Sequence, residues 1–429
     1  MNRTVHWFRN DLRLDDNAVF NRAAEASDEL VGIYIFDEIN FERGIHGGQR
    51  MHSRRAFFLW QSVMELRESM RNRGSELYVF KGNPVQILKE LHELWSFTSL
   101  SYSKSVGYEE REREADVERE LSANVQIHAD WTHTLINMED LPFSIEKSPD
   151  VFTPFRKKIE KYHEFTPPVD APDVVPSFTG EIPAKALNYF EELDLDDFET
   201  DDRAALDFNG GELAARSRIE HYFWETKSLL EYKETRNGLI GADYSSKLSP
   251  WLANGSLSPR RVYSEVKRFE SENKSNQSTY WLIFELLWRD YFQIVALKHG
   301  KKLFAENGWK GTPRKWRQDE KLFNKWTEGE TEDDFVNANM KELKHTGFMS
   351  NRGRQNVASF LTHQYKIDWR WGAAYFEEML IDYDVASNWG NWSYVSGTGN
   401  DPRKDRVFNT QLQADKYDAQ GEYRSLWLD

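Results

Sequence analysis

The chain has 429 residues, no cysteine and a formal charge of −15. That length calls for two or three domains, and the lack of cysteine excludes disulfides, zinc thiolate sites, iron–sulfur clusters and thiol nucleophiles. An acidic average surface repels a polyanion, so any nucleic-acid binding must come from a local basic patch.

The opening "MNRTVHWFRNDLRLDD" has no apolar signal region, and no apolar run reaches the roughly 18–20 residues of a membrane span. A cytoplasmic protein without a membrane segment is expected. The first strand is "TVHWF", the second "LVGIYIF" at 30–36, and "SRRAFFLWQSVMELRESMRNRG" repeats apolar residues at helical spacing before stopping on Gly74. "ELYVFKG" is a third strand, "NPVQILKELHELW" a helix with Pro84 in its first turn, and "VQIHAD" resumes strand character after a charged helix at 109–121. This βαβα rhythm predicts a mostly parallel sheet covered by helices over residues 1–130.

From 131 to 209 the periodicity fades among prolines from Pro142 to Pro183 and the acidic run "ELDLDDFETDD", and a surface connector is expected. From 210 to 429 the pattern is helical throughout. The fold class is therefore α/β followed by all-α.

Neither a P-loop nor a G-x-G-x-x-G motif is present, H-E-x-x-H is missing, and the 11 histidines are scattered. Metal chemistry is not expected. In "DYSSKLSPWLANGSLSPR", the hydroxyls of Ser245, Ser246 and Ser249 flank Lys247; they suit a diphosphate, or the N-cap of a helix starting near Ser249. In "WLIFELLWRDYF", Glu285 and Arg289 share a helix face four residues apart and could pair or line a pocket beside Trp288. "TGFMSNRGRQNVASF" sets Asn351, Arg352, Arg354 and Gln355 near a helix N-terminus, where an anion or plain solvent fits. "DYDVASNWGNWSYVSGTGN" carries Asp382 and Asp384, with Arg354 as the expected partner of the pair. Its Trp389, Trp392 and Tyr394 suit a core, a base platform or redox side chains.

Taken in order along the chain, "WFRNDLRLDDN", "SSKLSPWLANGSLSPR", "ELLWRDYF", "TGFMSNRGRQNVASFL", "DWRWG" and "DYDVASNWGNWSYVSGTGNDPR" resemble the photolyase/cryptochrome family, its DASH branch in particular. The resemblance spans nearly the whole chain. It implies a Rossmann-like antenna domain, a long connector and a helical domain holding FAD. The implied FAD contacts are Tyr232, Ser245, Ser246, Lys247, Leu248, Ser249, Glu285, Arg289, Asn351, Arg354, Asp382, Asp384 and Asn388, with Asn388 beside the central flavin ring. Trp392, Trp369 and Trp316 fall at the family's electron-hopping positions.

The implied reaction is blue-light-driven repair of cyclobutane pyrimidine dimers, in which reduced FAD lends an electron to the dimer. Glu285, Asn351 and Trp288 would line the dimer pocket. Gln355 and Tyr394 replace bulkier apolar residues of duplex-acting relatives, so single-stranded DNA is the expected partner of a monomer. Lys344, Arg352, Arg403, Lys404 and Arg406 are the candidate phosphate contacts. Glu109 and Glu110 in "GYEERERE" fall near the family's contacts to 5,10-methenyltetrahydrofolate, and a solvated charged helix explains them equally well. The family also contains blue-light photoreceptors, and a signalling cryptochrome or a nucleic-acid-binding regulator is the alternative.

Overall fold

The computed structural model describes residues 1–311, 313–401, 403 and 407–428. Five parallel strands, β1 (Arg3–Phe8), β2 (Glu29–Asp37), β3 (Leu77–Gly82), β4 (Ser99–Ser103) and β5 (Gln126–Asp130), lie in the order β3-β2-β1-β4-β5. Val5 of the central strand pairs in register with Val31 on one side and Leu100 on the other. Both faces of the inner strands are covered, which is why they read as continuous apolar runs without alternation. The cover comes from α1 (Ala18–Ala26), α2 (Ser53–Arg71), α3 (Pro84–Trp95) and α4 (Tyr108–Leu121).

The expected connector contains a regular helix, α5 (Phe152–Tyr162), which buries Phe152, Phe155 and Ile159. Pro154 reads as a breaker in the sequence, yet it sits in the first turn, where its missing N–H has no partner to lose. The remaining helices are α6 (Glu212–Ile219), α7 (Tyr232–Thr235), α8 (Ser249–Asn254), α9 (Pro259–Glu272), α10 (Gln277–His299), α11 (Glu320–Glu328), α12 (Asp334–Thr346), α13 (Asn351–Ser359), α14 (Trp369–Met379), α15 (Val385–Ser396), α16 (Thr410–Tyr417) and α17 (Glu422–Leu428). The 23-residue α10 is their spine, with α7, α9 and α15 packed on it. No helix among the described residues is long and apolar enough to cross a membrane.

The loop after β1 ties sheet to helices. Arg13 is buried and donates to the carbonyls of Gly255 (2.9 Å), Thr132 (2.9 Å) and Asp16 (3.0 Å). Asp15 pairs with Arg261 at 2.6 Å, and buried Asp290 accepts from the amides of Leu135 and Ile136. His133 is buried at this junction; desolvation outweighs Asp11 and brings its pKa down to about 4. The unfolded chain therefore binds a proton that the folded chain refuses, and stability falls as pH drops from 6.5 towards 4. That loss amounts to about 3 kcal/mol from this one group. Denaturant titrations at pH 7 and pH 4 should show a shallower acid loss in His133→Gln than in the unsubstituted protein.

Candidate functional site

The loop before α8 reaches its helix without a Gly-rich turn. Lys247 takes φ 53°, a left-handed conformation uncommon for a side chain of its size. Arg218 fixes the loop from one side, donating to the carbonyls of Ser246 (2.9 Å), Ala242 (3.0 Å) and Ser245 (3.1 Å). In a trans peptide the N–H points opposite to the C=O, so the amides of Ser246 and Lys247 point away from Arg218. The Lys247 ammonium is buried, donates to Gly241 O at 3.1 Å and lies 3.2 Å over the Tyr244 ring. Burial, reinforced by Arg218, brings its pKa down to about 6. Leu248 occupies the N-cap of α8; Ser249 does not cap it, as the sequence had suggested it could, but donates to Asp382 at 2.6 Å.

Asp382 is the meeting point of this loop and α13. Its Oδ2 accepts from Arg354 at 2.8 Å, while its Oδ1 is buried without a hydrogen-bond partner among the described residues. Asp384 caps α15 by accepting from Ser387 N (2.6 Å) and also accepts from Gln293 (2.9 Å). Buried Asn388 spends one N–H on Ala373 O at 2.9 Å.

Glu285 and Arg289 do not pair. Arg289 turns to the carbonyls of His133 and Leu252, binding the junction to α8. Glu285 instead pairs with Arg236 at 2.5 Å; burial pushes its carboxyl up and Arg236 opposes that. The next residue, Asn237, accepts from Arg352 at 2.8 Å, and Arg352 also donates to Gln355 at 3.0 Å. Glu285, Arg352 and Gln355 are thus joined in one polar rim, with Asn351 exposed at the head of α13. Trp288, on the same face of α10, stacks on Phe152 (3.8 Å, 14°) and meets the edge of Tyr394 at 6.2 Å. Arg403 donates to the Tyr394 hydroxyl at 3.0 Å. Lys344 is paired with Glu328, while Lys404 and Arg406 lie outside the described residues.

The three tryptophans run from core to surface. Trp392 is 2% exposed and Trp369 fully buried, while Trp316 is half-buried. The indoles of Trp369 (3.0 Å) and Trp316 (3.3 Å) both donate to Glu306 O. Trp392 lies against Gly372, one turn beyond Trp369 on α14, where a Cβ would overlap its ring.

Residues 281–429 match the sequence pattern of the FAD binding domain of DNA photolyase, and residues 4–177 that of DNA photolyase. A cryptochrome DASH from Natronomonas pharaonis is 47% identical over 429 residues, covering 100% of this chain and 90% of that protein. The chain belongs to the photolyase/cryptochrome family. Within the family it is most similar to the DASH branch. The crystal structure of a Synechocystis cryptochrome superposes with a TM-score of 0.96 at 45% identity, covering 100% of this chain and 89% of that one. A class III photolyase from Agrobacterium tumefaciens gives 0.85 at 27%, covering 100% and 86%.

FAD is therefore the cofactor, and the residues present fit it. Loop amides turned outward and a buried lysine amine without a carboxylate partner among the described residues suit an anionic group, and the free Oδ1 of Asp382 suits an N–H donor on the same ligand. Tyr232 is buried at the start of α7, close to Arg236 and Glu285. A separate cavity of about 640 Å³ lies between sheet and helices, lined among others by Trp7, Tyr34, Glu110, Lys301, Tyr383 and Trp389. Glu109 lines it too, paired with Arg50 at 2.6 Å. Glu110 keeps its carboxyl there, and burial pushes its pKa up to about 6.

Arg236 was missed in the sequence because "YKETRNG" carries no motif; the one available signal was that Glu285, on so apolar a helix, needs a cation. The acidic segment "GETEDDFVNANM" is used structurally. Asp333 caps α12 and accepts from Thr410 at the head of α16, while Asn337 closes on Thr331.

Proposed function

We propose that the chain repairs cyclobutane pyrimidine dimers in single-stranded DNA under blue light, acting as a cytoplasmic monomer. The observation that carries this reading is the Glu285–Arg236 pair, a carboxylate held at the rim of the site with its countercharge behind it. Bound FAD supplies a light-absorbing one-electron centre. Glu285 accepts from base-edge N–H groups, and its position is fixed before the substrate arrives. Asn351 and Trp288 line the same pocket. Asn388 presents a neutral amide beside the flavin, where a carboxylate would repel a reduced, anionic ring. Arg354 and Asp382, with the serine loop, hold and orient the cofactor.

Gln355 and Tyr394 leave less apolar contact for a flipped dimer than bulkier side chains would. Base–aromatic contacts are worth about 1–3 kcal/mol each, so losing some disfavours extraction from a duplex. The same reading assigns the 640 Å³ cavity to an antenna chromophore, 5,10-methenyltetrahydrofolate, with Glu110 as the carboxylate that faces it.

Trp392, Trp369 and Trp316 carry electrons inward from the surface. Trp392→Phe is expected to abolish light-driven flavin reduction while chemically reduced protein still repairs. Loss of both activities together would remove the hopping role. Repair assayed on single- and double-stranded dimer oligonucleotides with fully reduced FAD separates the enzyme from a photoreceptor or a binding regulator. No dimer loss on either substrate overturns the enzyme reading.

A further inference from the structure

The pocket rim accounts for Glu285 and Trp288 but leaves the rest of their helix face unexplained. Trp281, Phe284, Glu285 and Trp288 recur at i, i+3, i+4 and i+7 and are all half-buried, so α10 shows an aromatic stripe to solvent on one side. In a soluble helix that stripe belongs inside. Here cations flank it instead. Trp281 stacks on Phe284 at 4.7 Å, with Lys233 5.0 Å and Arg236 5.7 Å from its ring centre. On the other flank Arg156 of α5 lies 5.2 Å over Phe284 and donates to Tyr280 at 3.1 Å, sharing Glu160 with it. Lys157, Lys158 and Lys161 follow on α5, exposed and without an ion pair among the described residues. Such a run of unpaired cations stands out on a chain with a net charge of −15.

We propose that this stripe is a rail for the undamaged single strand beside the lesion, with a base stacking on Trp281 and phosphates held by Lys233 and Arg156. The inference rests on the single-strand reading above and adds where the strand runs. Aromatic rings interleaved with cations are what an unpaired strand needs: every base has a face to stack, and every linkage carries a charge. Lys233 now covers the ring that the base would occupy, and its long side chain can exchange that contact for a phosphate at little cost. A duplex cannot use the rail, because its bases are already stacked on one another. The rail therefore contributes to strand preference independently of Gln355 and Tyr394.

The test is anisotropy of a labelled, undamaged oligothymidylate with FAD-loaded, full-length protein across a range of salt. Trp281→Ala should weaken binding about tenfold with an unchanged salt slope, while Trp281→Phe retains most of the affinity. Lys233→Gln should lower the slope of log affinity against log salt by about 0.7, one phosphate contact's worth. Retained flavin absorption reports that each variant is folded, and the half-buried Lys233, at the surface end of the stripe, provides a result even if Trp281→Ala is not. If Trp281→Ala binds like the unsubstituted protein, or Lys233→Gln leaves the slope unchanged, the rail is wrong and the repair reading stands. A loss confined to dimer-containing strands overturns it as well, since it would place Trp281 at the lesion. Failure of the unsubstituted protein to bind any single strand overturns both.

Discussion

Glu285→Gln should cut repair by fully reduced protein about ten- to hundredfold, the worth of one hydrogen bond to a charged group, while flavin absorption is unchanged. The substitution keeps the volume of the side chain and removes its charge. Arg236, its partner at 2.5 Å, is left without a counter-ion but is partly solvated, so the structural cost is about 1 kcal/mol or less. What is lost is the preset acceptor for the base edge. The affinity for a dimer-containing strand should fall along with turnover, because the proposed hydrogen bond would serve the bound dimer as well. Unchanged repair would remove Glu285 from the chemistry. Loss of flavin together with repair would make it a structural residue of the cofactor site.

The sheet was readable because parallel strands buried on both faces leave dense apolar runs, and helices such as α3 announce themselves with Asn83 and Pro84 at the first turn. The Asp382–Arg354 pair was readable as well, from two short charged motifs. Three features were not. Helix α5 was hidden by Pro154, because sequence alone does not tell a first turn from an interior one. Arg236 meets Glu285 across 49 residues, a separation over which no local pattern exists. Arg289 shares a helix face with Glu285 yet bonds the carbonyls of His133 and Leu252, because buried backbone acceptors at the junction compete for its guanidinium. The cavity between sheet and helices belongs to this class too. It is made by the docking of two units, each of which looks complete by its own periodicity.

Arg354→Leu is expected to be the most damaging single change in the cofactor site. The Asp382 side chain is 2% exposed, and its two oxygens face Arg354, Ser249 and the free side of the site. Removing Arg354 leaves a buried carboxylate with only a hydroxyl donor, which costs about 3–5 kcal/mol. The variant should melt well below the unsubstituted protein and purify without flavin. That result alone would not separate a stability role from a cofactor role, and the double variant Arg354→Leu/Asp382→Leu does. Replacing both members of a buried ion pair by apolar side chains is often neutral for stability, and Ser249, being exposed, can turn its hydroxyl to water. The double variant should therefore recover most of the lost melting temperature, and should still fail to take up FAD if the pair holds the flavin as proposed, because its charged and hydrogen-bonding groups are gone. Recovery of flavin along with stability would mean that the pair only braces the loop against α13.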